Sequence, residues 1–175
     1  MKQKLKNIFS VCMLAILMMI SFGCYFVVAQ PMNKLKGTYH MTRYTVTDGG
    51  NDSVTDYIED RGYDVYLIIT GTGTGYYVHS DPNTPAYYRE VILSYEYDTE
   101  DASKVSRITY KFSVSDSGYS LGVSGKNLNF SKPPLKFSDK IYTDGRSMSM
   151  EKVSDAIDLS YVQSQLGEIV PFENP

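Results

Sequence analysis

Residues 64–80 read DVYLIITGTGTGYYVHS, and this stretch decides the fold of the chain. Two runs rich in β-branched and aromatic residues lie on either side of the glycine-rich segment 70–75. Such runs are typical of β-strands, and the glycines permit a tight reversal between them. The segment therefore predicts an antiparallel hairpin with strands near 64–70 and 75–80.

Runs of the same kind recur on both sides of this hairpin. Further strands are predicted near residues 36–46, 88–97, 107–115, 118–123, 126–131 and 147–153. The dipeptides Ser117-Gly118 and Ser124-Gly125 are turn signals between neighbouring strands. About eight strands with hairpin links predict a mainly β fold, namely an antiparallel up-and-down β-barrel; a two-sheet sandwich is the alternative.

Residues 52–61 break the strand pattern after strand 1. They offer a capping residue and then Val54, Tyr57 and Ile58 at helical spacing, with Gly62 as a stop signal. The pattern predicts a short helix that covers one mouth of the barrel.

A second helix is predicted at the C-terminus. Ser154 or Asp155 would cap it, and Gly167 would end it after Leu166, with a proline beyond. One face of this helix would pack on the sheet. That face carries Ile157, Tyr161, Val162 and Leu166.

Residues 8–29 form an apolar run without a charged residue, preceded by Lys2, Lys4 and Lys6. A basic head followed by such a run is typical of an export signal or membrane helix whose following chain lies outside the cytoplasm. As a helix, the run would extend about 33 Å, which is enough to cross the hydrocarbon core of a bilayer.

Three fates of this N-terminal segment remain open. The helix 8–29 is retained as a membrane anchor, or it is cleaved after Ala29 and the domain is secreted, or Cys24 is acylated as in a lipoprotein. The predicted location is the cell membrane, with the domain on its extracytoplasmic side. The predicted organisation is a signal peptide or signal anchor at 1–30, a linker at 31–34, the barrel at 35–153, and a C-terminal helix and tail at 154–175.

Cysteine usage and charge fit an exported domain. The two cysteines, Cys12 and Cys24, both lie in the apolar segment, so the remainder holds no disulfide and no thiol nucleophile. Without the three N-terminal lysines, 14 basic residues stand against 20 acidic ones, a net charge of −6. Because binding of nucleic acid needs clustered basic residues, DNA and RNA are not expected partners.

The order of motifs resembles the bacterial lipocalin-like extracytoplasmic domains, many of which are lipoproteins. The matching segments are LKGTY at 35–39, LIITGTGTGY at 67–76, ITYKF at 108–112, NLNF at 127–130 and SMEKV at 149–153. The resemblance implies a lipocalin-like barrel over residues 35–153. It transfers no functional residue, because one barrel shape hosts many activities.

Residues with catalytic or metal-binding chemistry are few. His40 and His79 are the two histidines, and neither has the sequence context of a hydrolase nucleophile. Two histidines make a poor transition-metal site, and the loop 48–59 lacks the glycine that a calcium loop needs at its sixth position. The sequence predicts no catalytic residue, no metal and no cofactor, with a hydrolase as the third choice of function.

Two tyrosine pairs are the candidate ligand-binding residues. Tyr76-Tyr77 and Tyr87-Tyr88 flank the polar loop 80–85. Because neighbouring residues of a strand face opposite sides, one tyrosine of each pair is expected inside the barrel and one outside. Tyrosines beside a polar loop suit contacts with a ligand, although they also serve as ordinary strand residues.

The sequence therefore favours a non-enzymatic, membrane-attached binding module. Its expected partners are the membrane, through the N-terminal segment, and a small hydrophobic ligand, a glycan or an envelope protein. The alternative is a structural or assembly accessory of the cell envelope whose barrel is filled.

Overall fold

The computed structural model describes residues 33–47, 54–71, 73–101, 104–112, 118–131, 135–137, 140–142 and 145–173. The described strands are β1 (Gly37–Thr47), β2 (Val54–Asp56), β3 (Asp64–Ile69), β4 (Thr74–Asp81), β5 (Thr84–Tyr97), β6 (Val105–Phe112), β7 (Gly118–Ser124), β8 (Asn127–Ser131), β9 (Leu135–Phe137), β10 (Lys140–Tyr142), β11 (Gly145–Ser154) and β12 (Val170–Pro171). Helix α1 spans Ser160–Leu166.

Eight of these strands form a closed antiparallel barrel. Strands β3, β4, β5, β6, β7 and β8 pair in chain order, with β1 and β11 at the two ends of the series. The barrel closes because β11 also pairs with β1, for example through Met41 and Met150. The predicted mainly β, up-and-down barrel is confirmed, and each barrel strand coincides with one of the eight predicted strands.

The glycine-rich segment 70–75 links β3 and β4 as a hairpin. Its register pairs Ile69 with Gly75. A Cβ atom on Gly75 would lie 2.2 Å from the carbonyl oxygen of Ile68, so a larger residue would force the two strands apart. Gly73, in the turn, has φ +85°, a conformation that residues with side chains rarely adopt.

Side chains alternate between the interior and the outside along each strand. The interior cluster includes Leu67, Ile108, Tyr110, Leu121 and Leu128, all completely buried. A second cluster lies outside the barrel, where α1 covers the outer face of β3, β4 and β5. Its buried members are Tyr66, Ile68, Val78, Ala86, Val162 and Ile169.

A bulge in β1 changes which residues face inward. The register with β11 shifts between Met41 and Arg43, so the alternation moves by one residue. Met41 packs inside before the bulge, and Tyr44 packs against the interior cluster after it. The bulge therefore places Tyr44 inside the barrel.

The prediction of a short helix after strand 1 is wrong. Val54–Asp56 is instead the strand β2, which pairs with β1, because β-branched residues such as Val54 and Thr55 favour extended pairing over a helix. The Asp56 carboxylate then accepts the N–H of Ile58 (3.0 Å), which turns the chain. Ile58 and Tyr63 of this turn pack on the interior cluster.

The C-terminal helix is shorter than predicted. Strand β11 continues to Ser154, which pairs with Thr38, and α1 begins only at Ser160. The Asp158 carboxylate accepts the N–H of Ser160 at 3.0 Å. Val162, on the face of α1 that packs on the sheet, is fully buried as expected. Ile157 lies before the helix and is 44% exposed.

The described part of the chain begins with residues 33–35, which are helical and precede β1. Leu35 is buried in the interior cluster, and its carbonyl accepts the Tyr39 hydroxyl at 2.9 Å. The segment 8–29 lies outside the described residues. Of the helices that the structure describes, none has the length and apolar character to cross a membrane.

The barrel has two ends with different linings, the base and the mouth. The base is the end where β1 begins and β3 ends, and Leu35 packs into it. The mouth is the opposite end, where β1 ends and β3 begins.

Candidate functional site

A continuous set of aromatic side chains occupies the mouth half of the barrel, together with one arginine. These residues, called the mouth cluster, are Tyr44, Tyr57, Tyr63, Tyr77, His79, Tyr87, Arg89, Tyr110, Phe112, Tyr119 and Phe172. Each ring lies within about 6 Å of the next, the distance at which aromatic pairs attract.

Tyr77 lies at the centre of this cluster. Its ring stacks on Tyr110, with 6.0 Å between centroids, and meets Phe112 edge-on at 5.3 Å. His79, two residues along β4 on the same face, meets Tyr63 edge-on at 4.9 Å. Stacked and edge-on contacts of this kind are the arrangements that aromatic pairs prefer, so they stabilise the centre of the cluster.

Arg89 faces the interior from β5, directly across from Tyr77 on β4. Its guanidinium carbon lies 3.4 Å from the centroid of Phe172 and 5.2 Å from that of Phe112. Its Nε atom is buried and has no hydrogen-bond partner. Within the described part of the chain no carboxylate forms a salt bridge with Arg89. The mouth cluster thus contains a positive charge that rings surround and that no acid among the described residues pairs with.

The acid at the rim of the mouth is engaged elsewhere. Asp81 accepts hydrogen bonds from the N–H of Asn83 (2.7 Å) and the hydroxyl of Thr84 (2.6 Å), which hold the turn between β4 and β5. These bonds lower the pKa of Asp81, chiefly the one from Thr84. Its contact with His79 is long, at 3.9 Å. The Asp81 carboxylate therefore stabilises the turn between β4 and β5 and contacts His79 only weakly.

Burial shifts the pKa of four groups of the mouth cluster in the direction that favours their neutral form. Desolvation is the main cause that raises the pKa of Tyr77, Tyr87 and Tyr110, and it lowers the pKa of His79. The Tyr110 hydroxyl is completely buried and has no hydrogen-bond partner. Near neutral pH the cluster consequently offers neutral hydroxyl groups and one permanent cation.

The four predicted tyrosines divide between two places. Tyr77 and Tyr87 belong to the mouth cluster. Tyr76 and Tyr88 lie on the outer face, where their rings meet edge-on at 5.8 Å and pack against the cluster under α1. The structure therefore brings only one residue of each pair to the mouth.

A groove of about 310 Å³ lies on the outer wall of the barrel. Its lining residues are Thr70, Thr74, Gly75, Tyr76, Glu90, Val91 and Ile92. Its one charged group, Glu90, is exposed to solvent, and Ile92 is 56% exposed. Unlike the mouth cluster, the groove is lined by one acidic residue and by no basic residue.

The two histidines occupy different surroundings. His40 Nε2 lies 2.7 Å from Asp64 Oδ1 on the outer face, and its ring stacks on Tyr66 at 4.6 Å. Neither imidazole forms a hydrogen bond with a serine or threonine hydroxyl of a described residue. Across the described ranges, no group of three or more His, Cys, Asp or Glu side chains is placed to hold a metal ion.

Two candidate features of the sequence lie wholly or partly outside the described residues. Cys24, the candidate lipidation residue, is one of them, and the first six residues of the loop 48–59 are the other.

Sequence reasoning missed Arg89 and Phe172. The signal for Arg89 was available, because alternation along the strand 88–97 places residue 89 on the face of Val91 and Leu93. Phe172 had no such signal. It reaches the mouth because β12 pairs in parallel with β5, a long-range contact that short sequence patterns do not encode.

Fold and site together define a closed eight-stranded antiparallel β-barrel with an arginine-containing aromatic mouth. Comparison of the chain with protein-family models, with curated proteins and with solved structures gives no significant match.

Proposed function

We propose that this protein is a non-enzymatic binding module that holds its ligand in the mouth of the barrel. The observation that carries the proposal is the unneutralised Arg89, surrounded by rings on the interior face of β5. A partly buried charge without a partner destabilises a fold, so its presence favours a functional role over a structural one.

The lining of the mouth has the composition of a small-molecule site. Such sites combine apolar and aromatic walls with a few converging polar groups. Here the walls are rings such as Tyr77 and Phe112, and the polar groups are the Arg89 guanidinium and the Tyr110 hydroxyl. Tyr77 and Tyr87 are the members of the predicted tyrosine pairs that would contact the ligand.

We further propose that the barrel is a lipocalin-like domain attached to the cell membrane on its extracytoplasmic side. The closed barrel with its early hairpin supports a lipocalin-like domain, and the apolar run 8–29 after three lysines supports attachment to the cell membrane with the barrel outside the cytoplasm. Attachment would be through the helix 8–29 or through lipid on Cys24, and cleavage after Ala29 would release the domain.

A structural accessory of the envelope is the second candidate. It is favoured by the base of the barrel, where Leu121, Leu128, Ile108 and Met150 fill the interior and are buried to 1% exposure or less. A barrel filled in this way along its whole length would have no room for a ligand and would act through its outer surface.

Site-directed photocrosslinking distinguishes the two functions. A photoreactive benzoylphenylalanine would replace Tyr57 in the mouth cluster or, as the control, Ile92 on the outer wall, in the full chain expressed in membranes. Illumination followed by intact mass analysis should give an adduct of a few hundred daltons at position 57 and none at position 92.

An adduct of protein size at position 92, with none at 57, would contradict the binding module and support the accessory. If a small adduct formed at position 92 and none at position 57, the ligand would bind in the outer groove and not in the mouth.

A further inference from the structure

The mouth cluster contains two hydrogen-bond donors that the described chain leaves without acceptors. They are Arg89 Nε and the Tyr110 hydroxyl, both buried. A buried donor without a partner costs about 1–3 kcal/mol, and few such groups persist in folded proteins unless a ligand or water satisfies them. Both donors require the same kind of partner, a hydrogen-bond acceptor such as an oxygen atom.

The way in which rings surround Arg89 limits how a partner can approach. Phe172 lies against the guanidinium with its centroid 3.4 Å from the central carbon, so one flat face is covered. The in-plane N–H groups are the part that remains for hydrogen bonds. In-plane N–H groups match the two oxygens of a carboxylate, and equally those of a phosphate or sulfonate.

The electrostatics of the mouth favour a negative group. Arg89 has no salt-bridge partner among the described acids, and Asp81 at the rim is bound by Asn83 and Thr84. The hydroxyls of Tyr77 and Tyr110 are neutral near pH 7, and burial raises their pKa further above the ordinary value, so they do not repel an anion. A neutral ligand would leave the charge of Arg89 uncompensated.

The remaining surface of the mouth favours a flat, apolar body. The chain itself places a planar ring, that of Phe172, on the guanidinium, and Tyr77 and Tyr110 stack face to face nearby. Planar rings stack on such surfaces with little loss of freedom. A flexible alkyl chain would gain the burial of apolar surface but not the stacking.

We propose that the ligand of the mouth is a small organic anion, with a carboxylate, phosphate or sulfonate on a planar apolar body, and that Arg89 binds its anionic group. The inference rests on the proposed function, because it specifies the ligand of the same site. Tyr110 supplies the second donor.

Calorimetric titration of the full chain in a non-ionic detergent tests the inference with matched probes. The first pair is 2-naphthoate and its neutral counterpart 2-naphthamide, and the second is octanoate and octanamide. One charge-assisted hydrogen bond corresponds to roughly a tenfold to hundredfold difference in affinity. 2-Naphthoate should bind at least about tenfold more tightly than 2-naphthamide, and more tightly than octanoate.

Two variants assign the effect to Arg89. Arg89→Met should abolish the preference for the carboxylate over the amide. Arg107→Met is the matched control, because Arg107 is a barrel arginine that faces outward and pairs with Glu96 at 3.3 Å. It should keep the preference. Circular dichroism would verify that both variants are folded.

Each other result overturns a defined part of the inference. Equal binding of acid and amide, unchanged by Arg89→Met, would contradict the anionic ligand while leaving a small-molecule site in the mouth. Tighter binding of octanoate than of 2-naphthoate would contradict the planar body and indicate a lipid-like acid. Failure of all four probes to bind would contradict both the inference and the proposed function.

Discussion

The base and the mouth are two halves of one barrel, built from the same strands with opposite chemistry. Strand β6 contributes Ile108 to the base and Phe112 to the mouth, and β5 contributes Leu93 to the base and Arg89 to the mouth. At the base, aliphatic side chains such as Leu121 and Leu128 are completely buried. At the mouth, rings surround donors that have no acceptor.

The difference indicates which half stabilises the fold and which half carries function. Complete burial of apolar side chains stabilises a protein by roughly 1.5–3 kcal/mol each, so the base supplies stability. Each half contains one tyrosine hydroxyl that is buried without a partner, that of Tyr95 at the base and that of Tyr110 at the mouth. The difference between the halves is therefore the cation Arg89, whose buried Nε atom works against stability and is of a kind that natural proteins retain mainly at functional sites. Both halves of the comparison can be tested by substitution.

The largest effect is expected at the base. Leu121→Ala removes a side chain with 0% exposure and leaves a cavity, so the free energy of unfolding should fall by about 2–5 kcal/mol. Ile92→Ala, at a 56% exposed position of the outer wall, should change it by less than about 0.5 kcal/mol. Denaturant unfolding monitored by circular dichroism measures both. Equal losses would refute the assignment of stability to the base.

Alkaline unfolding should depend on the buried tyrosines of both halves. Burial raises the pKa of Tyr95, at the base, to about 12 from an ordinary value of 10. Between pH 10 and 12 the unfolded chain therefore loses this proton while the folded chain keeps it, and stability falls by up to about 1.4 kcal/mol per pH unit for each such group. Tyr95→Phe should make the loss less steep in this pH range. An unchanged slope would show that Tyr95 titrates normally in the folded chain.

At the mouth, removing the charge should not weaken the fold. Arg89→Met loses cation–π contacts worth about 0.5–2 kcal/mol, but it also removes a buried donor that costs about 1–3 kcal/mol. Unfolding experiments should find a free energy equal to that of the wild type or about 1 kcal/mol higher. A loss of 2 kcal/mol or more would assign Arg89 to the structure rather than to a ligand.

The smallest effect concerns His79. Burial lowers its pKa in the folded chain, so on acidification through pH 6.5 the unfolded chain takes up a proton before the folded one does. Stability should therefore decrease as the pH falls from 7 to 5. His79→Gln should reduce this decrease by less than about 1 kcal/mol, which melting temperatures at several pH values can resolve. An identical pH dependence in the variant would contradict the buried, neutral His79.

The barrel could be predicted from sequence because its signals are local. Alternating runs of residues and the glycine turn at 70–75 predict eight strands. The structure contains each of them close to its predicted bounds. The helix expected after strand 1 failed because Val54 and Thr55 found a partner in β1, and tertiary pairing overrode the helical spacing. The start of α1 moved for the same reason, since Ser154 pairs with Thr38.

Only some residues of the mouth cluster could be predicted from the sequence. Tyr77 and Tyr87 were named as candidates, and alternation alone could have added Arg89. The approach of Phe172 depends on the pairing of β12 with β5, which is distant in sequence, and the entry of Tyr44 depends on the bulge after Met41. Neither has a sequence signature, because bulges and long-range pairings are set by the assembled barrel.

The thermal shift caused by 2-naphthoate tests most directly the claim that the base stabilises and the mouth binds. Melting temperatures of the wild type and Arg89→Met would be recorded with and without the probe. A ligand at 100 times its dissociation constant adds about 2.7 kcal/mol, which raises the melting temperature by several degrees. The wild type should show this shift, and Arg89→Met should melt no earlier than the wild type but show none. A variant that melts much earlier, or that keeps the full shift, would contradict the division of the barrel into a stabilising base and a binding mouth.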